Sequence, residues 1–291
     1  MKTIETPQKS FLSIQAKHFG LIVLSVLIVF FIVPVEAFAQ GGLLITPRRV
    51  VFDGGKRVQQ LNLANTGADT ATFSISFVQY RMKEDGNFEE ITEPDSLQRF
   101  ADKNLRLFPR TVTLAPREAQ LVKVQLRNYN KLDDGEFRSH LYFRTVKNTK
   151  ALGENDVVDT TSLSVRLVPI FGISILVIIR KGENTTEVSL TDLSFEMQND
   201  TIPKISMRFN RQGNMSVYGD IVVEYTSTDN VSVQVGIVRG LAVYTPNLTR
   251  LFSFELNKGI DYSKGSLSVI YKSNSDLKPA VYAQEELILN K

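Results

Sequence analysis

The chain has 291 residues, of which 43% are hydrophobic, with a net charge of +3, no cysteine and no tryptophan. That composition is ordinary for a globular protein, and the length is ample for two cores. A charge this small, with its basic residues scattered, gives no basis for nucleic-acid binding, and a chain without cysteine must hold its fold by burial rather than by disulfides.

The chain opens with Lys2, Lys9 and Lys17, then the apolar block FGLIVLSVLIVFFIVPV at 19–35, then AFA at 37–39. A basic stretch, an apolar stretch and small residues before a cut read as a secretory signal peptide over 1–39. Cleavage after Ala39 would leave a chain with no stable membrane insertion. A secreted chain free of cysteine suits a bacterial periplasm. Five N-x-S/T triplets, at Asn184, Asn199, Asn214, Asn230 and Asn247, keep a secreted glycoprotein open as well.

After residue 40 nearly every segment alternates apolar and polar residues between turns, with no long helical period. RRVVFDGGKRVQQLNLANTG, at 48–67, reads as two strands around Asp53-Gly54-Gly55. TATFSISFVQYRM follows, with Phe73, Ile75 and Phe77 inside, and Asp85-Gly86 turns the chain. LRLFPRTVTLAPREAQLVKVQLRN is two strands joined at Ala115-Pro116, and GEFRSHLYFRTV is another. A polar loop at 147–161 leads into SLSVRLVPIFGISILVIIRK, at 162–181, which alternates at first and then turns apolar on both faces. Seven or so short strands of this kind predict an immunoglobulin-like sandwich over 40–180. Seven further strand patterns predict a second β-sandwich over 181–291, with the polar stretch Lys181–Thr186 as the hinge.

Catalytic groups are scarce. With the leader removed, His140 is the one histidine, and no G-x-S-x-G, H-E-x-x-H or phosphate-binding loop occurs. The carboxylates of KEDGNFEEITEPD, at 83–95, lack calcium-loop spacing and read as a solvated hairpin. His140 alternates with Leu141 in a strand and reads as a packed or surface residue. The residues predict a protein that is not an enzyme, with no cofactor and no metal.

In their order, TPRRVVFDGGKR, the LRLFPRTVTLAPREAQLVKVQLR pair, GEFRSHLYFR, ISILVIIR, NRQGNMSVYGD and RGLAVYTPN resemble the PapD-like periplasmic pilus-assembly chaperones. The resemblance covers 40–291 and is more specific in its first half. It implies two immunoglobulin-like sandwiches set as a boomerang. It implies a periplasmic protein that lends its last first-domain strand to pilus or related surface subunits lacking one, with an outer-membrane usher as a further partner. Lending a strand is an established recognition mode, for which pilin complementation is a standard example, and it would explain an apolar edge strand that is otherwise an aggregation hazard. The lent side chains would be Val165, Leu167, Phe171 and Ile173; the competing assignment makes this odd-numbered face core and turns Ile170 and Leu176 outward.

Carried onto this sequence, the family's carboxylate-gripping arginine falls on Arg49, with Arg48 beside it. Its partner lysine falls on Leu176, which breaks the two-cation anchor. The family's interdomain arginine falls on Arg180. The acid expected before the loop falls on Arg138, of the wrong sign, which leaves Asp261 as the predicted partner of Arg180. The family's loop disulfide is absent, and Pro169 interrupts the strand. From the residues alone, a second function stands: a secreted two-domain β-sandwich adhesion or scaffold protein that binds a surface protein or a carbohydrate.

Overall fold

Short alternating strands bury one face each and cannot stand alone, so they stack as paired sheets. The computed structural model describes residues 42–146, 172–274 and 280–290. The predicted leader, and Val165, Leu167 and Phe171, lie outside these residues. Among the described residues there is no α-helix, and none is long and apolar enough to cross a membrane.

The first sandwich holds β1 (Leu43–Thr46), β2 (Arg49–Phe52), β3 (Val58–Asn65), β4 (Ala71–Val78), β7 (Leu105–Phe108), β8 (Thr111–Leu114), β9 (Ala119–Leu126), β10 (Gly135–Val146) and β11 (Gly172–Lys181). One sheet has the order β1-β3-β9-β7, the other β2-β11-β10-β4-β8. The first strand therefore changes sheets. β1 pairs with β3, and after Pro47, which has no N–H for a ladder, β2 pairs in parallel with β11. Facing positions fill one core, including Phe52, Leu61, Leu63, Leu114, Leu141 and Phe143, each 1% exposed or less.

The second sandwich packs the sheet β12 (Glu187–Gln198), β13 (Ile202–Gln212) and β16 (Thr249–Glu255) on a four-stranded one. That sheet has the order β15 (Ser232–Val243), β14 (Val217–Thr226), β17 (Lys264–Ser273) and β18 (Val281–Asn290). Its separate core includes Ile205, Phe209, Ile221 and Tyr271. All of Gly42–Lys291 forms one compact unit.

Three features join the sandwiches. The linker is tied down rather than slack: Thr185 donates to Asn214 Oδ1, Asn214 donates to Glu183 O, and Thr186 Oγ1 donates to Met215 O. Gly213 makes this possible, because its φ is +91° and a Cβ there would lie 2.3 Å from Thr185 O. A third apolar cluster, Met82, Leu176, Ile178, Ala242 and Tyr244, bridges the two bodies.

The third feature corrects an expectation. The carboxylate-rich hairpin of β5 (Tyr80–Met82) and β6 (Phe88–Glu90) is not merely solvated. Its tip reaches β16, where Leu251 N donates to Glu84 O at 2.8 Å. Glu84 Oε1 accepts from Arg208 Nη1 at 2.8 Å and Thr249 Oγ1 at 2.9 Å, and Asn247 Nδ2 donates to Met82 O at 2.9 Å. Asn184 and Asn214 of the triplets also use their side chains in hydrogen bonds to the linker backbone.

Candidate functional site

The apolar run that ends in β11 now has a physical account. Its odd residues Ile175, Val177 and Ile179 lie in the core of the first sandwich. Its even residues Leu176 and Ile178 lie in the cluster against the second. A strand covered on both faces reads as a continuous apolar run. Over 175–179 the odd-numbered face is therefore core. Ile173 has the same parity, but it is not part of that core and is 36% exposed on the uncovered edge beside Phe143.

β2 covers the edge of β11 only from Leu176 to Ile179. Among the described residues, Gly172–Ile175 have β10 on one side and nothing on the other. At the point where this open edge begins, Leu176 stands opposite Arg49.

Arg49 lines a cleft of about 610 Å³ between the sandwiches with Arg180, Ser216, Tyr218 and Tyr282. Its Nη1 donates to Tyr244 Oη at 3.1 Å, and its guanidinium lies 4.3 Å from the centre of the Tyr218 ring. Two phenol faces thus hold the cation by stacking and leave most of its donors unspent. Arg49 forms no ion pair with any described residue. Burial pushes the Tyr244 phenol up, against the pull of Arg49, so Tyr244 stays neutral.

Beneath Tyr244 lies Arg138, 3% exposed, its guanidinium 4.8 Å from the ring centre. Its Nη2 donates to Thr245 O at 3.3 Å, while Nε and Nη1 find no partner among the described residues. Burial pulls its pKa down.

The predicted pair of Arg180 with Asp261 does not form: the acid on Arg180 is Glu136 of its own sandwich, and the link to the second sandwich runs through Ser216 and Thr245. Arg180 Nε donates to Glu136 Oε2 at 3.1 Å, and Nη2 donates to Ser216 O at 2.7 Å. Glu136 is fully buried and also accepts from Ser216 N at 3.0 Å, Ser216 Oγ at 2.7 Å and Thr245 Oγ1 at 3.3 Å. Asp261, the predicted partner, sits in the exposed loop before β17 and caps its own turn through Ser263 N, which holds its carboxyl low. The physical reason is register: β10 and β11 place Glu136 opposite Arg180, and Arg138 opposite Ile178. The acid was two residues from the position counted for it.

His140 is 8% exposed and lies edge-on to Tyr80 at 4.9 Å and Phe88 at 5.9 Å. Burial, with Arg138 adding to it, pushes its pKa down to about 3. The carboxylates at 83–95 are already engaged, Asp95 and Glu89 with Arg81 and Glu84 with Arg208. No cluster of three His, Asp or Glu that could share a cation occurs among the described residues.

No protein-family model matches the chain, and no curated protein matches it. Solved structures do. The chain is similar to the class 5 fimbriae chaperone CfaA at 15% identity, over 86% of this chain and 99% of that one, with a TM-score of 0.43. It is similar to the CupB2 chaperone of Pseudomonas aeruginosa at 14% identity, over 85% and 100%, with a TM-score of 0.41. The E. coli chaperone DraB matches at 11% identity, over 85% and 96%, with a TM-score of 0.40. Each of these is a chaperone.

Proposed function

We propose that this protein is a periplasmic chaperone that lends the edge of β11 and the residues before it to surface subunits lacking a strand, and passes them to an outer-membrane usher. One observation carries the reading: the partner strand β2 stops where the open edge of β11 begins, and the last residue pair at that point places Arg49, a cation with no ion pair among the described residues, in the cleft. A strand edge supplies main-chain hydrogen bonds to an extended segment. A cation at its end supplies a charge-assisted grip for a terminal carboxylate. Val165, Leu167, Phe171 and Ile173 are the side chains assigned to the client's groove. Leu176 packs between the sandwiches, so Arg49 acts without the family's lysine.

The test compares two synthetic peptides of one apolar, alternating sequence, one ending in a free carboxylate and one in an amide. The free acid is expected to bind more tightly, by the 2–5 kcal/mol typical of truncating a buried charged contact. Arg49→Ala should erase that difference without changing the fold. Equal binding of both peptides by the wild type would remove Arg49 from the anchor. A protein isolated from cells should begin at Gln40 and be recovered from the periplasmic fraction; an intact leader in the membrane fraction would defeat the location.

A further inference from the structure

The β5–β6 hairpin is a two-stranded ribbon of three-residue strands, and such ribbons are marginal by themselves. It is held at its tip, at its root and, between them, by Met82, which is 4% exposed in the cluster that bridges the sandwiches. Its tip is tied to the second sandwich through Glu84, by polar contacts that are mostly exposed. Its root is tied to the first sandwich by Tyr80 and Phe88, which close over His140. Phe88 in turn stands 6.1 Å from Tyr244, the ring that carries Arg49 and Arg138.

The surroundings of His140 suit only a neutral imidazole. Its register partners, Val78 on β4 and Leu176 on β11, are apolar. The hairpin offers Tyr80 and Phe88. Among the described residues the charge that acts on it is Arg138 of its own strand, of like sign, and its Nδ1 has no partner. A proton on Nδ1 gains no hydrogen-bond partner among the described residues and meets a buried guanidinium.

We propose that the hairpin is an acid-released strut between the sandwiches: a proton on His140 expels Tyr80 and Phe88, frees the hairpin from its seat, and uncovers the side of the cleft at Tyr244. The sign follows from linkage. The closed form holds His140 at a pKa of about 3, while a hairpin lifted into water restores about 6.5. The open form therefore binds more protons below pH 6.5, and acid drives opening. Above 6.5 the effect vanishes. Between pH 7.5 and 4.5 the open-to-closed ratio should rise, with about a hundredfold as the ceiling because Arg138 stays beside His140 in the open form.

The absence of cysteine makes the measurement direct. Spin labels on Lys83→Cys, beside the hairpin tip, and Ser253→Cys, on β16, report their separation by pulsed electron resonance. One short distance is expected at pH 7.5, with a second, longer population at pH 4.5 while the far-ultraviolet β signal is unchanged. In the labelled protein carrying His140→Phe or, should that fold poorly, His140→Gln, the short distance should persist at pH 4.5. Three outcomes overturn the proposal: one short distance at both pH values, opening in the His140 variants equal to the wild type, or a long distance that appears only as the β signal is lost.

Discussion

Glu136 has no solvent exposure in its side chain and accepts four hydrogen bonds, from Arg180, from both Ser216 donors and from Thr245. Removing one member of a buried pair leaves the other charge unpaired, so Glu136→Ala should cost about 3–5 kcal/mol in urea unfolding. Glu136→Gln keeps one acceptor oxygen and should cost less. A loss below 1 kcal/mol in Glu136→Ala would mean that water replaces the carboxylate. The place of Arg49 on its strand was legible in the sequence because it lies four residues before Asp53, where the turn Asp53-Gly54-Gly55 begins. Glu136 was not, because its role depends on the register between strands joined by a long loop. Counting along one strand cannot fix that register, and a slip of two residues keeps the same face while changing the partner. The ends of the two strands, Gly135-Glu136 and Arg180-Lys181, held the one available signal: strands that pair antiparallel bring such ends together.

The strand β11 shows what alternation can and cannot say. Its existence and its end at Lys181 follow from the run of β-branched residues closed by Arg180-Lys181. Which face is core does not follow, since a strand buried on both sides has no polar face to mark it. The structure separates the two ends of this strand, and paired substitutions test the separation. Ile178 is fully buried between the sandwiches, so Ile178→Ala should cost 2–5 kcal/mol. Ile173, at 36% exposure outside the core, should lose less than 1 kcal/mol as Ile173→Ser, while peptide binding falls. Equal thermal losses in the two variants would place Ile173 in the core and withdraw it from the lent edge. The hairpin at 83–95 was legible as a hairpin, from Asp85-Gly86, but its partner was not. Glu84 is one acid in an acidic stretch, and only the fold brings Arg208 to it.

At the scale of the whole molecule, the two sandwiches have separate cores and yet form one compact unit. Three kinds of bond cross between them: the buried Glu136–Arg180–Ser216 network, the apolar cluster around Tyr244 and the hairpin strut. Opening the boundary would strip Glu136 of its hydrogen bonds from Ser216 and Thr245 and uncover the apolar cluster around Tyr244 together. Each buried acceptor left without its donor and each apolar side chain uncovered disfavours a form with one sandwich folded and the other unfolded. Neither sandwich should therefore unfold while the other stays folded, and calorimetry should give a single transition whose calorimetric and van't Hoff enthalpies agree. Tyr244 is the residue on which this coupling turns, because its ring packs on Leu176 and Ile178, lies near Phe88, and carries Arg49 and Arg138 on its faces. Tyr244→Ala removes all of these at once and should cost about 3–5 kcal/mol, as truncation of a large buried ring does. The loss falls on the boundary and spares both cores, so the heat-capacity trace should split into two transitions. A single transition, merely shifted to lower temperature, would show that the Glu136 network alone couples the sandwiches. The double variant Tyr244→Ala with Glu136→Gln should then be the one that splits.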